Sequence, residues 1–246
     1  MKFLVLQYEL GIALKGIIYM HRITDNKMQG TARRYFEMFK RLCGDKSLAN
    51  VVLLTTMWDH LKDHGLGLRR DQQLREEFWN IMEAKGSHIR SYDGSKEMAE
   101  AIVCRLMRKP DTVLDIQREL VDEGRRLEET AAGKLIVPDI DNRMTEASLR
   151  VEALDRSLLE YTNGLGLAAR REIERERATV LAQRDTDMQR RERLKARLGK
   201  EAAAKIEGKT RSQKWKDRVS IFASILGLTI SMTVNLILPL AGVTAI

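Results

Sequence analysis

Three short apolar runs alternate with helix-like segments in the first half of the chain. The runs occupy residues 16–21, 50–56 and, more weakly, 87–92. Runs of this length, bounded by turn residues, are typical of strands buried on both faces. Between and after them, apolar residues recur three and four positions apart, as on one face of a helix. They are Tyr35, Met38, Phe39 and Leu42; Leu74, Phe78, Ile81 and Met82; and Met98, Ile102, Val103 and Leu106.

This strand–helix alternation predicts an α/β fold with parallel strands joined by right-handed crossovers. A parallel sheet of about three strands would leave a long exposed edge, which proteins normally avoid. The pattern therefore indicates part of a larger sheet.

From Pro110 onward the pattern is helical. Pro110 suits the first turn of a helix, and Gly133 is expected to end that helix. A second helical stretch carries a short coiled-coil-like seam, with residues at alternating spacings of three and four. The seam consists of Val151, Leu154, Leu158, Tyr161 and Leu165. It predicts long helices, a coiled coil and self-association of the chain through them.

Charge divides the chain into three zones. Residues 1–166 contain 26 basic and 26 acidic residues, whereas residues 167–218 contain 17 basic and nine acidic residues. The last 28 residues carry no charge. Together with the element pattern, this predicts an α/β unit at 1–109, a helical extension at 110–166, a basic helical arm at 167–218 and a separate apolar segment at 219–246.

Residues 219–238 form a candidate transmembrane helix. They are uncharged and mostly apolar, and about 20 such residues can span a bilayer. Basic residues precede the segment and no charge follows it, so the positive-inside rule places the arm on the cytosolic face, with a C-terminal tail anchor. The alternative is an amphipathic helix packed on the soluble domain of a cytoplasmic protein.

The basic arm favours a solvated helix, a coiled coil or contact with anionic lipid. Nucleic acid is disfavoured as a partner, because Trp215 is the arm's only aromatic residue and base stacking needs aromatic side chains.

Neither the cysteines nor the histidines predict a catalytic or metal site. Cys43 and Cys104 lie in apolar helical patterns and are expected to be reduced core thiols. His60 and His64, beside two aspartates, have a spacing that could start a metal site on a helix, but no third ligand is evident. A solvated helix start is the favoured interpretation.

Three segments of the α/β part carry a family resemblance: residues 16–25 (GIIYMHRITD), 38–44 (MFKRLCG) and 51–59 (VVLLTTMWD). Together they resemble fungal G-domain-containing P-loop proteins, distant relatives of septins and immunity-associated GTPases. Residues 116–124, with Thr130 to Gly133, look like the helix that follows the domain in that group. The resemblance covers roughly residues 3–135. It implies that residues 1–109 are the C-terminal half of a G domain, with a partial P-loop GTPase-type sheet.

The resemblance implies a guanine-base site at the end of the second strand. The family motif there is Asn/Thr-Lys-x-Asp, and Thr56, Met57, Trp58 and Asp59 occupy the matching positions. The family Asp accepts hydrogen bonds from two guanine N–H groups. Met57 cannot make the ammonium contacts of the family Lys. The alternative is a strand-ending turn in which Asp59 caps the next helix.

A second base-contacting loop is implied at residues 91–95, where Ser91 and Tyr92 begin the sequence SYDGS. Backbone N–H groups in this loop could reach the guanine carbonyl. An ordinary turn explains these residues equally well.

The phosphate-binding elements of the family have no counterpart. No G-x-x-x-x-G-K-[S/T] loop precedes the sheet, and no Asp has Gly three residues later. Residues 203–210 fit a relaxed loop pattern but lie in the charged arm, after the base motif. The full family domain would take GTP and Mg²⁺. Phosphate contacts contribute about 1.5–3 kcal/mol each, so losing about four costs roughly 6–12 kcal/mol of binding.

We therefore expect an N-terminally truncated member of a GTP-binding family that neither binds GTP usefully nor hydrolyses it by itself. The alternative function is a membrane-tethered coiled-coil scaffold that has no nucleotide function.

Overall fold

The computed structural model describes residues 1–25, 28, 30–160, 167–207, 213 and 216. Its strands are β1 (Ile17–Arg22), β2 (Val51–Thr56) and β3 (His88–Ser91). Its helices are α1 (Lys2–Glu9), α2 (Thr31–Cys43), α3 (His64–Gln73), α4 (Asn80–Ala84), α5 (Lys96–Met107), α6 (Asp115–Gln117), α7 (Gly133–Glu160), α8 (Leu167–Leu194) and α9 (Leu198–Ile206). Short π-helical segments follow α3 and α6, at Leu74–Trp79 and Arg118–Asp122.

The three strands form one parallel sheet in the order β1-β2-β3. This confirms the predicted mixed α/β fold with a parallel sheet of three strands. Alternate residues of β2 face opposite sides of the sheet. Val51 and Leu53 join a core with Phe36 of α2, whereas Val52 and Leu54 pack under Ile102 of α5. The sheet thus has helices on both faces.

The prediction that strands are buried on both faces holds for β2 and fails for β1. Residues Val51 to Thr55 are all buried. In β1, Ile18 and Met20 are 37% and 48% exposed. On this face of the sheet α5 packs over Val52 and Leu54 of β2. Strand β1 has a neighbour on one side only among the strands that the structure describes, so its residues on the same face are more exposed.

Helix α2 ends at Gly44, as the sequence predicts. Gly44 has φ +71°, a left-handed conformation in which glycine is favoured. A Cβ atom at this position would also lie 1.8 Å from the Asp115 carboxylate, so a larger residue would require that side chain to move. The chain turns here from α2 toward β2.

A second core lies where α1, α6 and α9 meet. Leu114, Ile116 and Leu120 pack there with Val5 of α1 and Leu198 of α9. The single helix expected from Pro110 to Gly133 is wrong, because the chain breaks into short helical segments that wrap this core. Gly133 begins α7 instead of ending a helix.

Helices α7 and α8 form an antiparallel hairpin joined by ion pairs along its length. The pairs are Arg191–Asp141, Arg143–Asp187, Arg150–Glu176 and Arg177–Asp155. Within this chain, Val151 and Leu154 of the predicted seam are already buried. Tyr161 and Leu165 lie outside the described residues, and self-association stays a prediction.

The two cysteines differ in environment. Cys43 is fully buried, and burial raises the pKa of its thiol to about 12. Cys104 is exposed on α5, so its predicted place in the core is wrong. The helical face of α5 that meets the sheet contains Ile102 and Leu106. Cys104 is two residues from each of them and therefore lies on the opposite side of the helix.

The predicted apolar segment at 219–246, with its candidate transmembrane helix, lies outside the described residues. None of the helices in the described part of the chain combines the length and apolar character needed to cross a bilayer.

Candidate guanine-base site

The two predicted base loops lie at the same edge of the sheet. Strands β2 and β3 are parallel neighbours, with Thr55 opposite Ser91. Because the carboxyl ends of parallel neighbours meet at one edge, the residues after Thr56 and after Ser91 come together there. Ligands of open α/β sheets bind at this edge, outside the carboxyl ends of the strands.

Met57 turns the chain as it leaves β2. It is the only non-glycine residue with positive φ in the described part of the chain, at φ 66° and ψ 32°. A left-handed conformation is costly for a residue with a Cβ atom and often accompanies a functional turn. The side chain of Met57 is 46% exposed. A single 3₁₀ turn, Trp58–His60, follows it.

Trp58 points inward and acts as a packing residue. Its indole Nε1 donates a hydrogen bond to Oγ1 of Thr55, 3.2 Å away. The six-membered ring lies so close to Gly67 that a Cβ atom there would be 3.0 Å from Cζ3. His64 contacts the same indole edge-on, with ring centroids 5.7 Å apart. Trp58 therefore anchors the turn to α3 and is not free to stack on a ligand.

A buried polar network holds the end of β2. Thr55 is fully buried, and its hydroxyl donates to the Asp71 carboxylate at 3.1 Å. The other Asp71 oxygen accepts from Nε of Arg75 at 2.6 Å. Sequence reasoning missed this network, because a single Asp within a polar helix gives no signal of a partner on a distant strand.

Asp59 presents an uncommitted carboxylate at the sheet edge. It is exposed and makes no hydrogen bond or ion pair with any residue that the structure describes. The cap of α3 is Asp63, whose carboxylate accepts from the backbone N–H of Leu66 at 3.1 Å. The alternative role of Asp59 as the cap of the next helix is therefore wrong.

The loop after β3 is ordered by its own hydrogen bonds. Asp93 accepts from the backbone N–H and the hydroxyl of Ser95, at 2.8 and 2.6 Å, and these bonds lower the pKa of Asp93. Ser95 in turn caps α5 by accepting from the N–H of Met98. Between them, Gly94 has φ +85°. The loop's geometry is thus fixed without help from a ligand.

Asp59 and Gly94 lie close together, one in each of the two loops. A Cβ atom on Gly94 would lie 3.6 Å from Oδ2 of Asp59, which is ordinary van der Waals distance. The exposed carboxylate therefore sits beside the backbone of the second loop, and the exposed Met57 belongs to the same turn.

Three other sequence-predicted residues lie at the strand ends and contact the scaffold. The Thr56 hydroxyl donates to the carbonyl of His21 at 3.4 Å. Tyr92 donates its backbone N–H to the Thr55 carbonyl at 2.7 Å and packs on the apolar cluster under α5. Ser91 is half-buried as the last residue of β3.

The sequence has no glycine-rich phosphate loop, and the described residues contain no group of three side chains that could hold a metal ion. The pattern at 203–210 begins within α9, where Ala202 and Ile206 face the protein interior, and its last three residues lie outside the described part.

None of the family models, curated proteins or solved structures that were compared with this chain matches it.

Proposed function

We propose that this chain carries the base-recognition half of a guanine-nucleotide site and does not hydrolyse GTP by itself. The observation that carries this proposal is the position of Asp59. Its carboxylate has no partner among the described residues and lies beside Gly94, at the carboxyl ends of two neighbouring parallel strands.

The chemistry of this pair of loops suits guanine. A carboxylate offers two acceptor oxygens, and the pairing edge of guanine offers two adjacent N–H donors, which makes a charge-assisted, bidentate contact. Where guanine has its ring N–H donor, adenine has an unprotonated ring nitrogen, which is an acceptor. One oxygen of the Asp59 carboxylate would then face another acceptor. The loop containing Gly94 lies beside this carboxylate, so an N–H group of that loop is the proposed donor to the guanine carbonyl.

Met57 supplies an apolar surface for the flat base. Its flexible thioether side chain is exposed on the same turn as Asp59, and sulfur contacts with aromatic rings are favourable. Trp58 does not have this role, because its ring is packed against Gly67 and its N–H is bonded within the scaffold.

Recognition of the base alone gives weak binding. Affinity in the millimolar range corresponds to about −4 kcal/mol, which a few contacts to a small exposed base can supply. Without a phosphate loop, the triphosphate of GTP adds little. The proposal therefore requires that guanosine and GTP bind this chain with similar, weak affinity.

Titration with fluorescent GTP in the presence of Mg²⁺, followed by a phosphate-release assay, tests this function. The expected results are no saturable binding in the micromolar range and no phosphate release above buffer. Micromolar binding that GTP competes away and Asp59→Ala abolishes would overturn the claim that half a site is present, because it requires phosphate contacts.

A further inference from the structure

Helix α5 and strand β3 border two open grooves away from the sheet edge that carries Asp59. One groove has a volume of about 300 Å³ and runs between β3 and α5. The other, of about 510 Å³, follows α5 toward its C-terminus. Both are lined by Ala101 and Arg105, so they adjoin along α5, and we call the two together the α5 groove.

The rim of the α5 groove is strongly cationic. Arg90, Arg105, Arg108 and Lys109 line it, and no acidic residue does. None of these four makes an ion pair with an acidic side chain in the described part of the chain, although most other cations near the sheet have one, as Lys15 does with Asp111. Four unpaired cations around the α5 groove repel each other, and an anion in the groove would relieve that repulsion.

A buried nitrogen adds a second, independent feature. Nε2 of His88, in the wall of the groove, is buried and has no hydrogen-bond partner among the described residues. Buried polar atoms normally have a partner, so this nitrogen is an unsatisfied group beside the groove, and a bound ligand would satisfy it after a turn of the imidazole ring. Burial lowers the pKa of His88, and the neighbouring Arg90 and Arg105 lower it further.

The floor of the groove is apolar. Val52, Met98 and Ile102 line the part beside β3. A small inorganic anion would meet the cationic rim and leave this floor unused, whereas a phosphate attached to an apolar body would cover both surfaces. Arginine forks match phosphate oxygens in a bidentate way, which favours phosphate over a carboxylate with fewer acceptor atoms.

We propose that the α5 groove binds a phosphate group carried on an apolar body, through Arg90, Arg105 and His88 at the rim and Val52 and Ile102 at the floor. The site is separate from the proposed base site, because it lies on the α5 face of the sheet and shares no residue with Asp59 or Gly94. A soluble phosphate ester and a lipid head group both have this chemistry.

Cys104 provides a built-in reporter of occupancy. It lines the groove beside Arg105 and Arg108 and is exposed, whereas Cys43, the other cysteine, is fully buried. The labelling rate of the native full-length chain with a thiol-reactive chromophore therefore reports Cys104. At constant ionic strength, hexyl phosphate is expected to slow labelling in a saturable manner, because Arg105 lines both grooves and a ligand held there lies next to the thiol.

Charge reversal of the rim gives the matched comparison. Arg105→Glu is expected to weaken the protection at least about tenfold, the effect of losing one charge-assisted contact to phosphate. Arg41→Glu makes the same change at an exposed position of α2, across the sheet, and should leave protection unchanged. Circular dichroism checks that both variants are folded.

Three ligands distinguish the source of the phosphate. Protection by hexyl phosphate at concentrations where inorganic phosphate has no effect supports a soluble ester. Protection only by vesicles of phosphatidylcholine with phosphatidic acid, lost in Arg105→Glu, supports a lipid head group. Equal protection by inorganic phosphate and hexyl phosphate would overturn the role of the apolar floor. An unchanged labelling rate with every ligand, or equal protection in Arg105→Glu and Arg41→Glu, would overturn the proposal.

Discussion

The hydroxyl of Thr55 donates a hydrogen bond to the carboxylate of Asp71, 3.1 Å away, and accepts one from the indole of Trp58. One side chain at the end of β2 therefore ties the strand to α3 and to the turn that carries Asp59. Thr55 is fully buried, so neither Asp71 nor the indole can replace this partner easily with water.

Replacing Thr55 with Val tests this tie. Val has nearly the same volume but no hydroxyl, so Asp71 and Trp58 each lose a buried partner. We expect the free energy of unfolding to fall by about 1–3 kcal/mol, as measured by urea denaturation followed by tryptophan fluorescence. The control is Thr56→Val, which removes a longer, 3.4 Å hydrogen bond at a half-buried position and should cost less. Equal losses in the two variants would contradict the special role of Thr55.

The backbone conformation of Met57 makes the second prediction. Because φ is 66°, a β-branched residue is disfavoured there, and glycine is tolerated. Met57→Val should lower the free energy of unfolding by about 1–3 kcal/mol, whereas Met57→Gly should leave it within about 1 kcal/mol. Thermal melts of the two variants check this. A Val variant as stable as the parent would show that the turn relaxes freely.

Local sequence signals predicted the sheet well, since β2 is apolar on both faces. They also predicted the end of α2, because Gly44 can take the conformation that ends the helix. They failed where the outcome depends on distant partners. The exposure of Ile18 depends on how far α5 extends across the sheet, and Gly133 begins a helix because the preceding segment wraps a core shared with α1 and α9.

The candidate sites show the same limit. The resemblance predicted roles for Asp59 and for the loop at 91–95, whereas the proximity of Asp59 to Gly94 depends on strand order and register. No pattern in the sequence predicts the α5 groove, because Arg90 and Arg105 belong to separate elements of ordinary composition. Only the fold brings them to the same depression, together with His88.

The α7–α8 hairpin has one buried ion-pair network, which provides the third prediction. The Asp187 side chain is 2% exposed and accepts from Arg143 and Arg190, at 3.1 and 3.2 Å. Asp187→Asn keeps the shape but removes charge-assisted bonds, so we expect a loss of about 1–3 kcal/mol in unfolding free energy.

The exposed pair Arg150–Glu176 is the control for Asp187. Both of its side chains are largely solvated, and such pairs contribute less than about 1 kcal/mol. Chemical denaturation of Glu176→Gln should therefore give a curve close to that of the parent. Similar destabilisation by both substitutions would mean that the contribution of Asp187 to the free energy of unfolding does not depend on its burial.

His21 makes stability depend on pH. Burial against the core lowers its pKa from the ordinary value of 6.5, so protons bind the unfolded chain more readily than the folded chain. The stabilisation is complete above pH 6.5 and is lost as pH falls through the lower folded pKa. Melting temperature should therefore drop between pH 7.5 and 5, less so in His21→Gln. An unchanged pH dependence in that variant would rule out His21 as a contributor. The pKa of His88 is lowered in the same direction, so His88 contributes to the dependence that remains.

The most direct test of the proposed function is an NMR titration of the ¹⁵N-labelled chain with guanosine and, separately, adenosine at millimolar concentrations. We predict that guanosine shifts the amide signals of Asp59 and Gly94 and that adenosine shifts neither. GTP should produce shifts like those of guanosine, and the Asp59→Asn substitution should abolish the response to guanosine. Equal responses to guanosine and adenosine, or a guanosine response that survives in Asp59→Asn, would contradict guanine recognition at this edge of the sheet.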